Sequence, residues 1–413
     1  MSVHYDPRDP ANVADPFPIL ARLRNEDPVH HSDILGGWVL TRHGDVRNAL
    51  KDAHLSADRI TPFLNHLPPG ERRSIAGLGA MLQRWVVFMD PPRHTQVRAL
   101  MNRAFTSNAL AALEPKINAI VNQLIDALLE KEGEADFIAD FAYPLPATVI
   151  AIIIGVPPED IDQIKTWSDD LATFVGSALE TPDKRDRAEA SVQAMTAYFR
   201  DIIAHRRKHP PEDATIIDNL IAAEEQGAVL DEATLVASCV LLLFAGHETT
   251  TNLFGNGLLA MLRSLDQLAQ FQADPAMANS AVEEMLRYDG PIGAMPRVTT
   301  ESYTIGDVTL PPGERVFCMV NAANRDPTVF HEPDRLDLNR PANRHIVFGF
   351  GIHFCIGAPL ARLEGRIGFP ALLRRLANIE QTSEATWNDS MVLRGMQHLP
   401  IGFKQNTQGS TRI

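Results

Sequence analysis

Cysteine is scarce in this chain: Cys239, Cys318 and Cys355 are the only three among 413 residues. An odd, widely spaced set without Cys-x-x-Cys argues against a disulfide framework and against a structural zinc site. No Cys-x-x-Cys-His is present for covalent c-type haem attachment. Positive charge is also short, with 38 Lys and Arg against 52 Asp and Glu, a formal charge of −14. That balance disfavours nucleic acid and anionic membrane surfaces as partners. Long apolar runs are missing too. The longest, Thr148–Val156 and Leu235–Gly246, fall well short of the ~20 residues that span a bilayer. The opening MSVHYDPRDP has neither a basic nor an apolar leader segment, so no signal peptide and a reducing, cytoplasmic setting are expected. Without repeats or low-complexity linkers to divide it, the chain is expected to form one domain, residues 1–413.

What is present is ordinary core-forming composition, 45% hydrophobic and 22% charged. HHSDILGGWVLTRHGDV reads as a hairpin turning at Gly36-Gly37. From about Ala104 to Ala204 apolar residues recur at helical spacing. HRRKHPPED, ending at Asp213, reads as a polar loop. Arg297 to Asn321 reads as β-rich, with β-branched runs broken by Gly-Asp and Pro-Pro-Gly. From about Gln405 the chain is polar and is expected to fray. The class is mainly α with minor β.

One helix stands apart. Asp231 is a good N-cap, with Leu230 and Leu235 placed as a hydrophobic staple, and the pattern runs to about Arg263. Leu235 to Phe244 is apolar almost all round, the mark of a central buried helix. Polarity then breaks in at Ala245-Gly246-His247-Glu248-Thr249. A mid-helix glycine costs ~1 kcal/mol, and a buried glutamate costs more unless paired. By periodicity alone, a functional site and a simple emergence at the surface are equally good readings.

The most specific segment is Phe348-Gly349-Phe350-Gly351-Ile352-His353-Phe354-Cys355-Ile356-Gly357-Ala358-Pro359. A cysteine here sits in a glycine-punctuated apolar loop just before a helix with Leu360, Leu363 and Ile367 on one side. Close backbone amides and a helix N-terminus both favour thiolate. Alone, Cys355 would be read as a buried structural thiol, the commonest fate of a free cysteine.

The whole string resembles the haem-binding loop of the cytochrome P-450 superfamily, Phe-Gly-x-Gly-x-His-x-Cys-x-Gly, at every fixed position. The resemblance extends over nearly the full chain. It implies the P-450 fold, with a Cys-ligated haem b held between a long distal helix and the proximal Cys loop, and Cys355 as iron ligand. It identifies Glu248 and Thr249 as the acid–alcohol pair: the glycine would loosen the helix for dioxygen and water, and the carboxylate would relay protons. Haem contacts are implied for Ala245, Gly246, Phe348, Gly349, Gly357 and Ala361, and carboxylate donors at His94, Arg98, Arg297 and His353. Glu284-x-x-Arg287 with Arg335 of Pro333-Asp334-Arg335 matches the structural triad, although many relatives carry Phe where Leu336 stands.

The same correspondence places Trp85, Phe88, Leu241, Phe244, Ile292, Gly293, Ala294, Met295, Gly395 and Met396 around a pocket for a small, largely apolar substrate. Each is also a plausible ordinary core residue. Arg394 reads equally as a carboxylate contact or a structural arginine. The activity implied is monooxygenation: one atom of dioxygen inserted as a hydroxylation or epoxidation, with electrons from a 2Fe-2S ferredoxin and its NAD(P)H-dependent reductase. A basic proximal patch of Arg103, Arg344, Arg362 and Arg366 would receive the ferredoxin. The alternatives are a peroxygenase or nitric oxide reductase-like enzyme, which the intact Glu248-Thr249 disfavours, and a non-catalytic haem carrier.

Overall fold

The computed structural model describes residues 3–102, 107–176, 183–211, 214–225, 231–341 and 343–406. Leu230, Arg103 and the last seven residues lie outside them. The expected hairpin forms between strands Val29–Ser32 and Gly37–Leu40. It continues into a five-stranded sheet in the order Val29–Ser32, Gly37–Leu40, Arg315–Met319, Ala294–Thr299, Leu55–Ser56. Gly37–Leu40 and Arg315–Met319 run parallel, with Trp38 opposite Val316. The edge strand Leu55–Ser56 pairs with Thr299 and Val298. That pairing brings the segment after Ser56 beside Arg297.

Most of the remaining chain is helical. The expected helical region holds Ser107–Leu129, Pro144–Ile154, Ile161–Gly176 and Lys184–Lys208. The last of these corrects one expectation: His205–Lys208 is a final helical turn, not loop. Its four basic residues at a helix C-terminus suit the macrodipole.

The long helix runs Glu232–Leu262, and Asp231 caps it by accepting from the Thr234 N–H at 2.8 Å. Every side chain from Thr234 to Phe244 is buried. The helix is long and apolar enough to cross a membrane, yet 72% of its apolar stretch is buried within the protein. It is a core helix, hydrophobic all round because protein surrounds it. It continues unbroken through Gly246. A Cβ at Gly246 would lie 2.5 Å from Ile150 Cγ1. The bare backbone lets helix Pro144–Ile154 pack close.

Candidate active site

Cys355 sits where the chain turns from the glycine loop into helix Ala358–Arg375. Gly349 and Gly351 hold φ of 75° and 73°, a left-handed conformation that side chains resist. The reversal lets the Cys355 N–H donate to the Phe348 carbonyl at 2.8 Å. The thiol is packed round by protein but opens onto an internal cavity. Burial pushes its pKa up, while the amides of Gly357 and Ala358 and the guanidinium of Arg98 act in the opposite direction without winning. The expected thiolate-stabilising groups are therefore present but insufficient by themselves. Coordination to a metal, which displaces the proton outright, is what such a thiol needs to ionise.

The cavity measures about 300 Å³ and is mostly apolar. Trp85, Phe88, Leu241, Phe244, Ala245 and Gly246 line it, as do Ile292, Ala294, Met295, Phe348, Gly357 and Ala361. Trp85 stacks on Phe88 and Phe244, with ring centroids 5.9 and 5.4 Å away. Glu248 and Thr249 reach the same cavity from the long helix. Burial, with Asp169 nearby, raises the Glu248 carboxyl to about 7. The Thr249 hydroxyl donates to the Ala245 carbonyl at 3.1 Å.

Arg98, Arg297 and His353 also border the cavity, and His94 lies behind His353, their rings 4.3 Å apart. His94 is 2% exposed, and neither of its ring nitrogens has a hydrogen-bond partner among the described residues. Burial and the arginine charges push His353 down to about 3, and burial then Arg98 lower His94. Each ring can donate an N–H to an acceptor. A cluster of cationic and N–H donor groups, with His94 unpartnered among the described residues, bordering an apolar cavity that also exposes a thiol fits a cofactor with an apolar body, an iron and carboxylate arms.

Several expected pocket residues lie elsewhere. Met396 is 2% exposed and packs toward Gly255. A Cβ at Gly395 would collide with Asn252, and one at Gly293 would meet the Met391 carbonyl at 2.3 Å. Their places on the wall are taken by Val392 and Leu393. Here the chain segments run edge to edge: Gly293 N–H donates to Val392 O and Arg394 N–H to Pro291 O, both at 2.9 Å. The Asn256 amide on the long helix donates to the carbonyls of Asp289 and Arg394, each at 3.0 Å. Arg394 proves structural: it clasps Asp289 at 2.6 and 3.2 Å and also reaches the Val13 and Ala14 carbonyls.

The triad needs one correction. Glu284 accepts from Arg287 at 2.7 and 2.8 Å, as expected. Arg335 does not join them; its guanidinium turns outward to Glu332 at 3.4 Å. The third member is Arg340, whose Nε lies 3.1 and 3.0 Å from the Glu284 oxygens. Arg335 contributes only its carbonyl, which accepts from both Arg287 and Arg340.

Of the expected proximal arginines, Arg344 and Arg366 are exposed, as are Ile352 and Phe354 of the Cys loop. Arg362 is instead committed to Glu283, at 2.6 and 2.8 Å. Arg103 lies outside the described residues. Arg59, which carries no local sequence signal, also borders the cavity, beside Phe88.

The model of the family Cytochrome P450 matches residues 69–397. The chain is 39% identical to the vitamin D(3) 25-hydroxylase of Pseudonocardia autotrophica over 94% of this chain and 93% of that protein. It superposes with a TM-score of 0.88 on P450BioI, solved with a hexadec-9Z-enoic acid-ligated acyl carrier protein, at 33% identity over 95% and 100% of the two chains. Its TM-score with the myxobacterial CYP267B1, solved with myristic acid, is 0.87, at 36% identity over 97% and 99%. The chain belongs to the cytochrome P450 family. It is a monooxygenase of the bacterial type, and its cofactor is haem b.

Proposed function

We propose that the enzyme inserts one oxygen atom into a substrate with a largely apolar body, and that Cys355 ligates the iron. The observation that carries this reading is the apolar cavity closed by Trp85, Phe88 and Phe244, with Cys355 in one wall and Glu248 and Thr249 in another. Arg98, Arg297, His353 and His94 hold the haem carboxylates. Bound haem supplies the activation of dioxygen. The protein's own groups do the rest. Glu248, balanced near neutrality, takes protons from the solvent side and releases them inward. Thr249 offers a hydroxyl already oriented by the Ala245 carbonyl. The aromatic cap excludes water, which strengthens each polar contact inside. The acyl and vitamin ligands named for the relatives support an apolar-bodied substrate.

Electrons come from a 2Fe-2S ferredoxin docking over Ile352 and Phe354, with Arg344 and Arg366 supplying positive charge despite the overall −14. The test is reconstitution with a ferredoxin, its reductase and NAD(P)H across a panel of apolar compounds. Substrate-dependent NAD(P)H use with a singly oxygenated product is expected. Equal turnover with peroxide alone, and none with the ferredoxin, would contradict the electron route.

A further inference from the structure

Three guanidiniums border the cavity: Arg59, Arg98 and Arg297. Haem b brings two carboxylates, fewer than the three guanidiniums. The only carboxyl on the cavity wall among the described residues is Glu248, on the long helix and itself raised to about 7. Asp90 is close enough to Arg297 to support its charge. It is held, however, by the Ser56 hydroxyl and by the Ala57 N–H at 3.0 Å. Arg59 has no such support. No aspartate or glutamate among the described residues pairs with it. Its guanidinium lies 4.8 Å from the Phe88 ring centroid, and burial followed by the charge of Arg297 pushes it down to about 10. An uncompensated guanidinium in such a place is costly and is stabilised by an anion.

The position of Arg59 says where that anion comes from. A second, outer cavity of about 590 Å³ adjoins the first, and both share Arg59, Phe88, Val175, Pro296, Arg297 and Val392. Among the described residues the charged lining of the outer cavity includes the cations Arg59, Arg297 and Arg315, with His66, against the one acid Glu314. In a chain with 14 more acidic than basic groups, that local excess is a selective lining for anions. The inner end is apolar and the outer end cationic.

We propose that the substrate is an amphipathic carboxylate: Arg59 receives its carboxylate where the two cavities meet, while the apolar body lies against Leu241, Phe244 and Ile292. This rests on the apolar-substrate reading above and narrows it. A guanidinium meets a carboxylate with two parallel hydrogen bonds, so a neutral analogue loses both.

The experiment measures Kd by equilibrium dialysis of the holoenzyme with dodecanoate, methyl dodecanoate and dodecan-1-ol. The native enzyme is expected to bind the acid roughly ten- to hundredfold more tightly than the neutral pair. Arg59→Gln is expected to bring the acid down to the level of the ester and leave the neutral ligands unchanged, and Arg59→Lys to restore part of the difference. Haem content and haem loss to apomyoglobin are expected to match the native enzyme in both variants. Equal affinity for acid and ester in the native enzyme would overturn the proposal and leave the apolar-substrate reading standing. Binding of none of the three would overturn both. Accelerated haem loss from Arg59→Gln with an unchanged acid preference would assign Arg59 to the haem instead.

Discussion

Arg340 lies across both oxygens of Glu284, its Nε at 3.1 and 3.0 Å, so that one fully buried carboxylate serves two guanidiniums. The Asn343 amide and the Asp337 N–H complete the shell at 3.1 and 3.0 Å. This pins the meander that leads into the Cys loop to the helix Ala278–Tyr288.

Removing Arg340 leaves a buried charge short of a partner. Arg340→Ala is expected to cost about 3–5 kcal/mol and to loosen haem retention. Arg335→Ala, at an exposed pair, is expected to cost no more than ~1 kcal/mol. Urea unfolding of the two variants side by side checks this; equal losses would contradict the reassignment.

Glu248 makes stability depend on pH with a definite sign. Its carboxyl is raised from 4.5 to about 7, so the folded protein holds a proton that the unfolded chain releases. The contribution is fully present below pH 4.5 and is lost as pH rises through about 7. Glu248→Gln is therefore expected to leave Tm nearly unchanged near ~pH 5 and to raise it near ~pH 8, while slowing turnover. A Tm difference independent of pH would contradict the shift.

The proximal arginines divide by their partners. Burial alone would raise Glu283, but the bonds from Arg362 and His345 outweigh it and hold it down to about 2. Reversing Arg362 sets like charges together, with an expected loss of about 1–2 kcal/mol, so it does not isolate docking. Arg366, exposed and hydrogen-bonded to Asn279 at 3.2 Å, does. Arg366→Glu is expected to slow reduction by ferredoxin several-fold at low salt, an effect that fades as salt rises. Stopped-flow reduction at two ionic strengths measures it.

At Gly246 two effects oppose each other. Alanine gains ~1 kcal/mol of helix propensity, but its methyl meets Ile150 at 2.5 Å, and overpacking costs about 1–3 kcal/mol. A net loss is expected for Gly246→Ala, recovered in part by Gly246→Ala with Ile150→Val. Chemical denaturation of single and double variants decides which effect wins.

The sequence made the long helix legible to within a residue or two, because its cap and apolar run are local signals. The Cys loop was legible only as a whole string, through its resemblance to the family's haem-binding loop; its local signals alone would have left Cys355 a structural thiol. Arg335 and Arg340 could not be told apart in that way. Both lie on one irregular stretch, and which guanidinium turns inward is set by carbonyls supplied from several places in the chain. The resemblance placed Met396 and Gly395 on the wall, but the backbone pairing of Gly293 with Val392 brings Val392 and Leu393 there instead. Arg59 gave no local signal at all. Its importance comes from the two-residue edge strand that lays it beside Arg297, a pairing 242 positions apart in the chain (Ser56 with Val298).

The Asn256 amide holds two carbonyls, one ahead of Pro291-Ile292 and one just past Leu393. Both loops of the cavity wall are thereby tied to one buried side chain of the long helix. The space offered to a guest is thus governed by a residue the guest never meets, and a change there would shift both panels together rather than reshape one.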